Sequence, residues 1–208
     1  MGGRTVGQLY REGRISCGEA ERLLSFCNNA GPSFILGVVG LGCFQSLTAG
    51  WALYLIHAVS AVLVGVLLRR KSRPQPGLFP LQHLPEKILP AFIRSVQDSA
   101  LAMLRVCGFV VFALVVQALV TEWTGVSHPA ALGFIELTGG VMRLGSGRTD
   151  FVWAAALLGW GGLSVHGQTA AVLADTNLKM DRYFLGKLLQ AALSALLAYL
   201  LVFCWYSV

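Results

Sequence analysis

Residues 51–68 read WALYLIHAVSAVLVGVLL and are followed directly by RRKSR at positions 69–73. His57 and Ser60 are the only strongly polar residues in the first stretch, which is long and apolar enough to cross a bilayer. Lys and Arg accumulate at the cytoplasmic ends of membrane spans. The basic run therefore predicts that the segment after Leu68 lies in the cytoplasm.

The composition of the whole chain also indicates a membrane protein. Hydrophobic residues make up 55% of the 208 residues, charged residues make up 12%, and the mean hydropathy is +0.66. A soluble domain carries about 25% charged residues, and disorder requires low hydrophobicity with high charge. Both classes are therefore excluded. We attribute the net charge of +6 to span ends, and we expect a lipid bilayer as partner and no nucleic acid.

Four other apolar stretches bring the predicted number of membrane segments to about five: 34–47, 99–120, 151–174 and 183–206. The first is short for a crossing, so a tilted span and a re-entrant segment both remain open. The third is interrupted by glycines at 159–162. We predict an all-α polytopic membrane protein with some broken or re-entrant segments. A weak similarity between 55–68 and 188–201 is consistent with half of a repeat-built transporter.

Three regions are expected along the chain. Residues 1–72 contain amphipathic helices and a first hairpin of apolar segments, with Ser16 and Glu19 as the capping box of the second helix. Residues 73–98 form a cytoplasmic proline-rich linker that ends in an interfacial helix at 88–97. Residues 99–208 hold the C-terminal membrane segments, with a glycine-rich broken helix. Arg105 is expected to extend its side chain to the interface.

Two pairs of polar residues are candidates for binding a solute within these apolar surroundings. Asn28 and Asn29 precede Gly31 at a membrane boundary, where an unwound helix would expose backbone groups and amides to a ligand. The alternative is a capping loop. Glu136, followed by Thr138, is a carboxylate in an apolar segment, which is costly unless it is paired, hydrated or protonated. Its alternative is a place in a surface loop.

A third candidate group follows the glycine pair Gly161 and Gly162, which allows a helix break or a close backbone approach. Ser164, His166 and Gln168 come after it and offer hydrogen-bond donors and acceptors to a polar solute. The alternative is interhelical hydrogen bonding between packed spans. A packing hydrogen bond is the expected role of His57.

The sequence predicts no enzymatic activity, because it lacks the common nucleophile, metalloprotease and nucleotide-binding motifs. We expect no cofactor and no metal site. The number of cysteines is odd and no pair has C-x-x-C spacing, which favours free thiols over disulfides. They are Cys17, Cys27, Cys43, Cys107 and Cys204.

Four motifs resemble those of a known family. They read LYREGRIS at 9–16, EAERLLSFCNNAGPSFI at 19–35, GFIELTGG at 133–140 and GWGGLSVHGQ at 159–168. In this order they are similar to the sporulation integral membrane proteins of the YlbJ type, within the nucleoside-recognition or Gate domain group. The resemblance makes the first hairpin Gate-like. It implies a multi-pass transporter-like protein that moves dipicolinate, a small planar dianion, across the outer forespore membrane.

The resemblance also bears on assembly and on an alternative function. Family members are about twice as long, and Met1 corresponds to a position inside one of their turns. We therefore expect an N-terminal half to be missing here, through a late assigned start or a genuinely short protein. A homo-oligomer or the missing half would complete the transporter. The alternative function is that of a non-transporting membrane factor needed for spore maturation.

Overall fold

The computed structural model describes residues 2–69 and 87–205, which fold into helices with no strand in either range. Two π-helical segments, Phe34–Cys43 and Leu200–Trp205, accompany nine α-helices in these ranges. The α-helices are α1 Gly2–Arg11, α2 Cys17–Cys27, α3 Leu47–Leu67, α4 Ile88–Thr124, α5 Pro129–Ile135, α6 Leu137–Val141, α7 Arg148–Trp160, α8 Gly162–Leu173 and α9 Asp181–Tyr199.

Three helices are long and apolar enough to cross a membrane: Leu47–Leu67, Ile88–Thr124 and Asp181–Phe203. The last of these is α9 continued into the second π-helical segment. The shorter apolar helix Phe34–Cys43 adds a fourth apolar element. The predicted all-α polytopic membrane protein is therefore confirmed.

The N-terminal helices α1 and α2 are joined at the predicted break. Ser16 is the N-cap of α2, and its side chain accepts the backbone N–H of Glu19 while the Glu19 carboxylate accepts the Ser16 N–H. These contacts to Ser16 lower the pKa of the Glu19 carboxyl. The apolar side of both helices packs in a small core that includes Val6, Leu24 and Leu173. Through this core, the N-terminal region packs against α8.

The segment Phe34–Cys43 folds back on α3 in a tight hairpin. It has 10 residues, about half of what a span requires. The chain then turns at Gln45, which has a positive φ of 50°. A Cβ added to Gly40 would lie 2.6 Å from the Cα of Gly50, so the two backbones are in direct contact. This geometry agrees with the re-entrant alternative.

Two further helices are broken, and the two breaks lie against each other. The α5–α6 break is at Glu136, and the α7–α8 break is at Gly161, which has a φ of 91°. A Cβ added to Gly162 would lie 2.9 Å from the backbone nitrogen of Leu137, so only a glycine fits at position 162. The indole N–H of Trp160 donates to the Phe134 carbonyl at 3.0 Å. The predicted break after Gly159 is thus present.

Helix α4 differs from the prediction, because one helix of 37 residues replaces an interfacial helix at 88–97 and a separate span at 99–120. Pro90 does not prevent this, since it lies in the first turn, where a missing N–H breaks no helical hydrogen bond. The helix begins inside the range predicted as linker. Residues 70–86, with the basic residues that follow Arg69, lie outside the described ranges.

Helix α9 is the centre of the packing and crosses α7 closely. A Cβ on Gly159 would lie 2.7 Å from the Cα of Ala191, and one on Gly186 would overlap with the backbone of Ser25 in α2. Small residues at such crossings let membrane helices approach through van der Waals contact. Helices α2, α3 and α7 consequently surround α9. The side chains on the buried face of α9 lie between these helices.

Candidate functional site

The buried face of α9 is polar. Tyr183, Lys187, Gln190 and Ser194 are each at most 1% exposed. Their spacing of four, three and four residues places them on one side of the helix. The opposite side carries exposed leucines and faces outward. Polar groups are costly inside a membrane protein unless they are paired, so their partners define the site.

One set of partners surrounds Tyr183. Its hydroxyl lies 2.7 Å from Nδ1 of His166 on α8. The Asn28 amide donates to Oγ1 of Thr169 at 2.7 Å and reaches the Tyr183 oxygen at 3.4 Å. The Thr169 hydroxyl in turn donates to the Val165 carbonyl. This network joins the end of α2 to α8 and α9.

A second network surrounds Lys187. Its Nζ donates to Oδ1 of Asn29 at 3.3 Å and to Oε1 of Gln190 at 2.9 Å. The Gln190 amide donates to the same Asn29 oxygen at 3.0 Å and to the His57 carbonyl at 3.4 Å. The buried ammonium is therefore hydrogen-bonded to two neutral amides and not to a carboxylate.

Both networks border a cavity of about 960 Å³. Leu101 and Phe109 of α4 form part of one wall. The opposite walls come from α1, from the link between α2 and the first π-helical segment, and from α8. The first turn of α8 adds Gly161 and Val165. Because the N-terminus of a helix carries partial positive charge, this wall favours an anion.

The charged residues of the cavity are unequal in number. Four are basic and two are acidic, and both acids are already paired: Asp98 with Arg4 at 3.3 Å and Asp175 with Arg11 at 2.9 Å. Arg105 and Lys187 are the other two basic residues, and neither has a carboxylate within 4 Å in residues 2–69 and 87–205. The cavity thus has two basic groups with no counter-charge among the described residues.

The structure brings four of the ten sequence-predicted site residues to the cavity wall: Asn28, Asn29, Gly161 and Gln168. They come from two separate candidate groups, which the sequence alone could not bring together. Arg105, which is exposed on α4, lines the same wall, and its predicted position at the membrane interface stays a prediction.

The other six predicted residues lie away from this wall. Glu136 is buried and accepts the Gly139 N–H at 2.6 Å, so it caps α6. Thr138 lies in α6. Gly31 precedes the first π-helical segment, and its carbonyl accepts the Phe34 N–H. Gly162 packs on Leu137, as described above. Ser164 and His166 are buried on α8.

Three buried polar atoms have no hydrogen-bond partner among the described residues: Nε2 of His57, Oγ of Ser164 and Nε2 of His166. Two of them belong to residues that the sequence singled out. The other histidine, His57, was expected to make a packing hydrogen bond, and its Nδ1 lies 3.5 Å from the side-chain amide of Gln190 on α9.

The two buried networks also contain four residues that the sequence analysis did not propose as site residues: Lys187, Gln190, Thr169 and Tyr183. The signal was available, because Tyr183, Lys187 and Gln190 recur every three or four residues in an otherwise apolar span. Such a repeat indicates a polar face turned toward other helices.

Within the described ranges, no three His, Cys, Asp or Glu side chains are grouped in a way that could hold a metal ion. Four cysteines in these ranges are free thiols, and Cys107 is exposed on α4.

No family model matches this chain, and no solved structure matches it. The chain is similar to the sporulation integral membrane protein YlbJ of Bacillus subtilis (strain 168). The two are 28% identical over 244 residues, an alignment that covers 96% of this chain and 60% of the relative. The resemblance inferred from the four motifs is therefore confirmed. The chain spans less than two thirds of the length of the curated relative that it matches.

Proposed function

We propose that this protein takes part in spore formation and moves a small carboxylate, dipicolinate in the first instance, across the outer forespore membrane. The observation that carries the proposal is the cavity beside α4, where Arg105 and Lys187 have no acidic partner among residues 2–69 and 87–205. A planar dicarboxylate would supply two negative charges to these two basic groups. Similarity to a sporulation membrane protein supports the cellular setting.

The surroundings of Lys187 favour a bound anion. Its side chain is 1% exposed, and a buried charge without a counter-charge is strongly unfavourable. A carboxylate in the cavity would remove that cost and accept a hydrogen bond from the ammonium. Asn28, Asn29 and Gln168 would add amide donors, and the α8 N-terminus would add its dipole.

The size of the cavity and the broken helices also support transport of a small solute. A cavity of about 960 Å³ falls within the range of small-molecule sites. Interrupted helices, such as those broken at Glu136 and Gly161, are a feature of transporters that bind substrates at the break. The α7–α8 break lines the cavity directly.

The test is uptake of dipicolinate by vesicles that contain the purified chain, read as luminescence of entrapped terbium. We expect uptake above that of protein-free vesicles, and at least tenfold less with Arg105→Gln, because this variant removes one uncompensated charge. Arg148→Gln is the matched control, since Arg148 is exposed at the start of α7, outside the cavity. Uptake equal to that of empty vesicles, for a chain that retains its helical content, would contradict transport and favour a non-transporting membrane factor.

A further inference from the structure

A second pocket, of about 320 Å³, lies where α2, the end of α3 and the start of α9 meet. Three arginines from these three places line it: Arg22, Arg69 and Arg182. Leucines and one serine complete the wall. The pocket is separate from the cavity beside α4, because the two share no lining residue.

None of the three arginines forms an ion pair with a carboxylate of residues 2–69 or 87–205. Arg4 and Arg11 form ion pairs, yet none of the three pocket arginines has a carboxylate within 4 Å in the part of the chain that the structure describes. Glu19 is one turn before Arg22, but its carboxylate is directed to the backbone and hydroxyl of Ser16. An anion between the three guanidinium groups would reduce their mutual repulsion.

The pocket lies at the edge of the apolar layer. Leu67 is 64% exposed at the end of one candidate span, and Leu185 is 48% exposed at the start of another. A ligand in the pocket would therefore have an apolar helix surface on one side and basic groups on the other. This arrangement matches an amphipathic molecule whose charged end is a phosphate, since guanidinium groups bind phosphate oxygens through paired N–H donors.

The geometry points to a binding site for the phosphate group of an anionic phospholipid in the cytoplasmic leaflet. Arg69 is the first residue of the basic run at 69–73, which indicates the cytoplasmic side. Basic pockets between membrane helices on that side bind lipid head groups. The acyl chains would run along the exposed leucines of α3 and α9. Free phosphate would use the same arginines but would gain nothing from these leucines.

The test measures binding to the purified full chain in neutral detergent, with three probes: a short-chain phosphatidylglycerol, phosphatidylcholine of the same chain length, and inorganic phosphate. We expect phosphatidylglycerol to bind at least tenfold more tightly than either of the others. The choline ammonium cancels the phosphate charge in one probe, and the other probe lacks acyl chains.

Variants locate the site. Arg69→Gln and Arg182→Gln should each weaken phosphatidylglycerol binding at least fivefold, while Arg148→Gln should leave it unchanged. The affinity of Arg69→Lys for phosphatidylglycerol should lie between those of wild type and Arg69→Gln, because lysine keeps the charge and loses the paired donors. Arg69 is exposed, so its substitution is compatible with folding, and helical content checks this. Unchanged affinity in both glutamine variants, or equal affinity for inorganic phosphate and phosphatidylglycerol, would overturn the proposal.

Discussion

Helices α9 and α4 are both candidate membrane spans, but they differ in how much of each helix is buried. In the most apolar window of each span, 28% of residues are buried for α9 and 6% for α4. The buried side of α9 includes Tyr183, Lys187, Gln190 and Ser194, whereas α4 buries only Ala113 and Gln117. Mean hydropathy identifies both as spans. The two helices therefore differ in how they meet the site: α9 packs a polar face among other helices, whereas α4 is mostly exposed and borders the cavity with residues such as Leu101, Arg105 and Phe109.

The largest difference between the two helices is expected when a methyl group is added at a glycine that contacts or belongs to each helix. Gly159→Ala places a Cβ 2.7 Å from the Cα of Ala191 on α9, whereas Gly108 on α4 has no atom within 4 Å of its added Cβ. We expect Gly159→Ala to destabilise the fold by about 1–3 kcal/mol, as overpacking does. Gly108→Ala should be neutral or stabilising. The measurement is the midpoint of thermal unfolding in detergent. Equal midpoints for the two variants would show that α9 is not tightly packed.

The second prediction concerns the charge on the polar face. Lys187→Met keeps the length of the side chain and removes the ammonium, so dipicolinate uptake by vesicles should fall at least tenfold. Lys179→Met is the matched control, because Lys179 is exposed in the loop before α9. Normal uptake in a folded Lys187→Met protein would mean that the buried ammonium does not bind the solute.

A smaller effect is expected where α9 contacts α3. The hydroxyls of Ser60 and Ser194 lie 2.7 Å apart and are fully buried. Hydrogen bonds between membrane helices contribute about 0.6 kcal/mol on average. A double-mutant cycle with alanine at both positions should therefore give a coupling free energy of that order. Ser99→Ala on α4, combined with Ser194→Ala, should be additive; coupling as large in this distant pair would refute the assignment.

The smallest effect is expected at helix starts, where α2 has a side-chain cap and α4 has none. The pKa of Glu19 is lowered by its contacts with Ser16. A carboxyl whose pKa is lower in the folded state adds stability above its usual pKa, and this contribution disappears as the pH falls through the folded value. The thermal midpoints of wild type and Glu19→Gln should therefore differ at pH 7 and converge in acid. A difference that does not depend on pH would contradict the capping role.

Much of the fold was predictable because its signals are local. Hydropathy indicated the spans, Ser16 with Glu19 indicated the start of α2, and Gly161 indicated the break before α8. The continuity of α4 was missed, because the sequence was divided into an interfacial helix at 88–97 and a separate span at 99–120. Pro90 lies in the first turn, and the Asp98 carboxylate pairs with Arg4 at 3.3 Å, a contact that sequence order does not reveal.

The candidate site was only partly predictable, because it is assembled from distant parts of the chain. Asn29 and Lys187 are 158 residues apart and meet through one hydrogen bond. The amides were recognised by their local surroundings, while Lys187 was assigned to the start of a span. Glu136 stood out for its cost in an apolar segment. Its carboxylate accepts the Gly139 N–H and caps α6, a local role that no composition argument could show.

The most direct test of the central claim is the affinity of the purified protein for dipicolinate, compared with its neutral diamide, by titration calorimetry. Both molecules are planar and similar in size, so the comparison isolates charge. The account predicts that dipicolinate binds at least tenfold more tightly, and that Lys187→Met removes most of this preference. Equal affinities for the two molecules, or a preference unchanged in Lys187→Met, would contradict an anion site built on the polar face of α9.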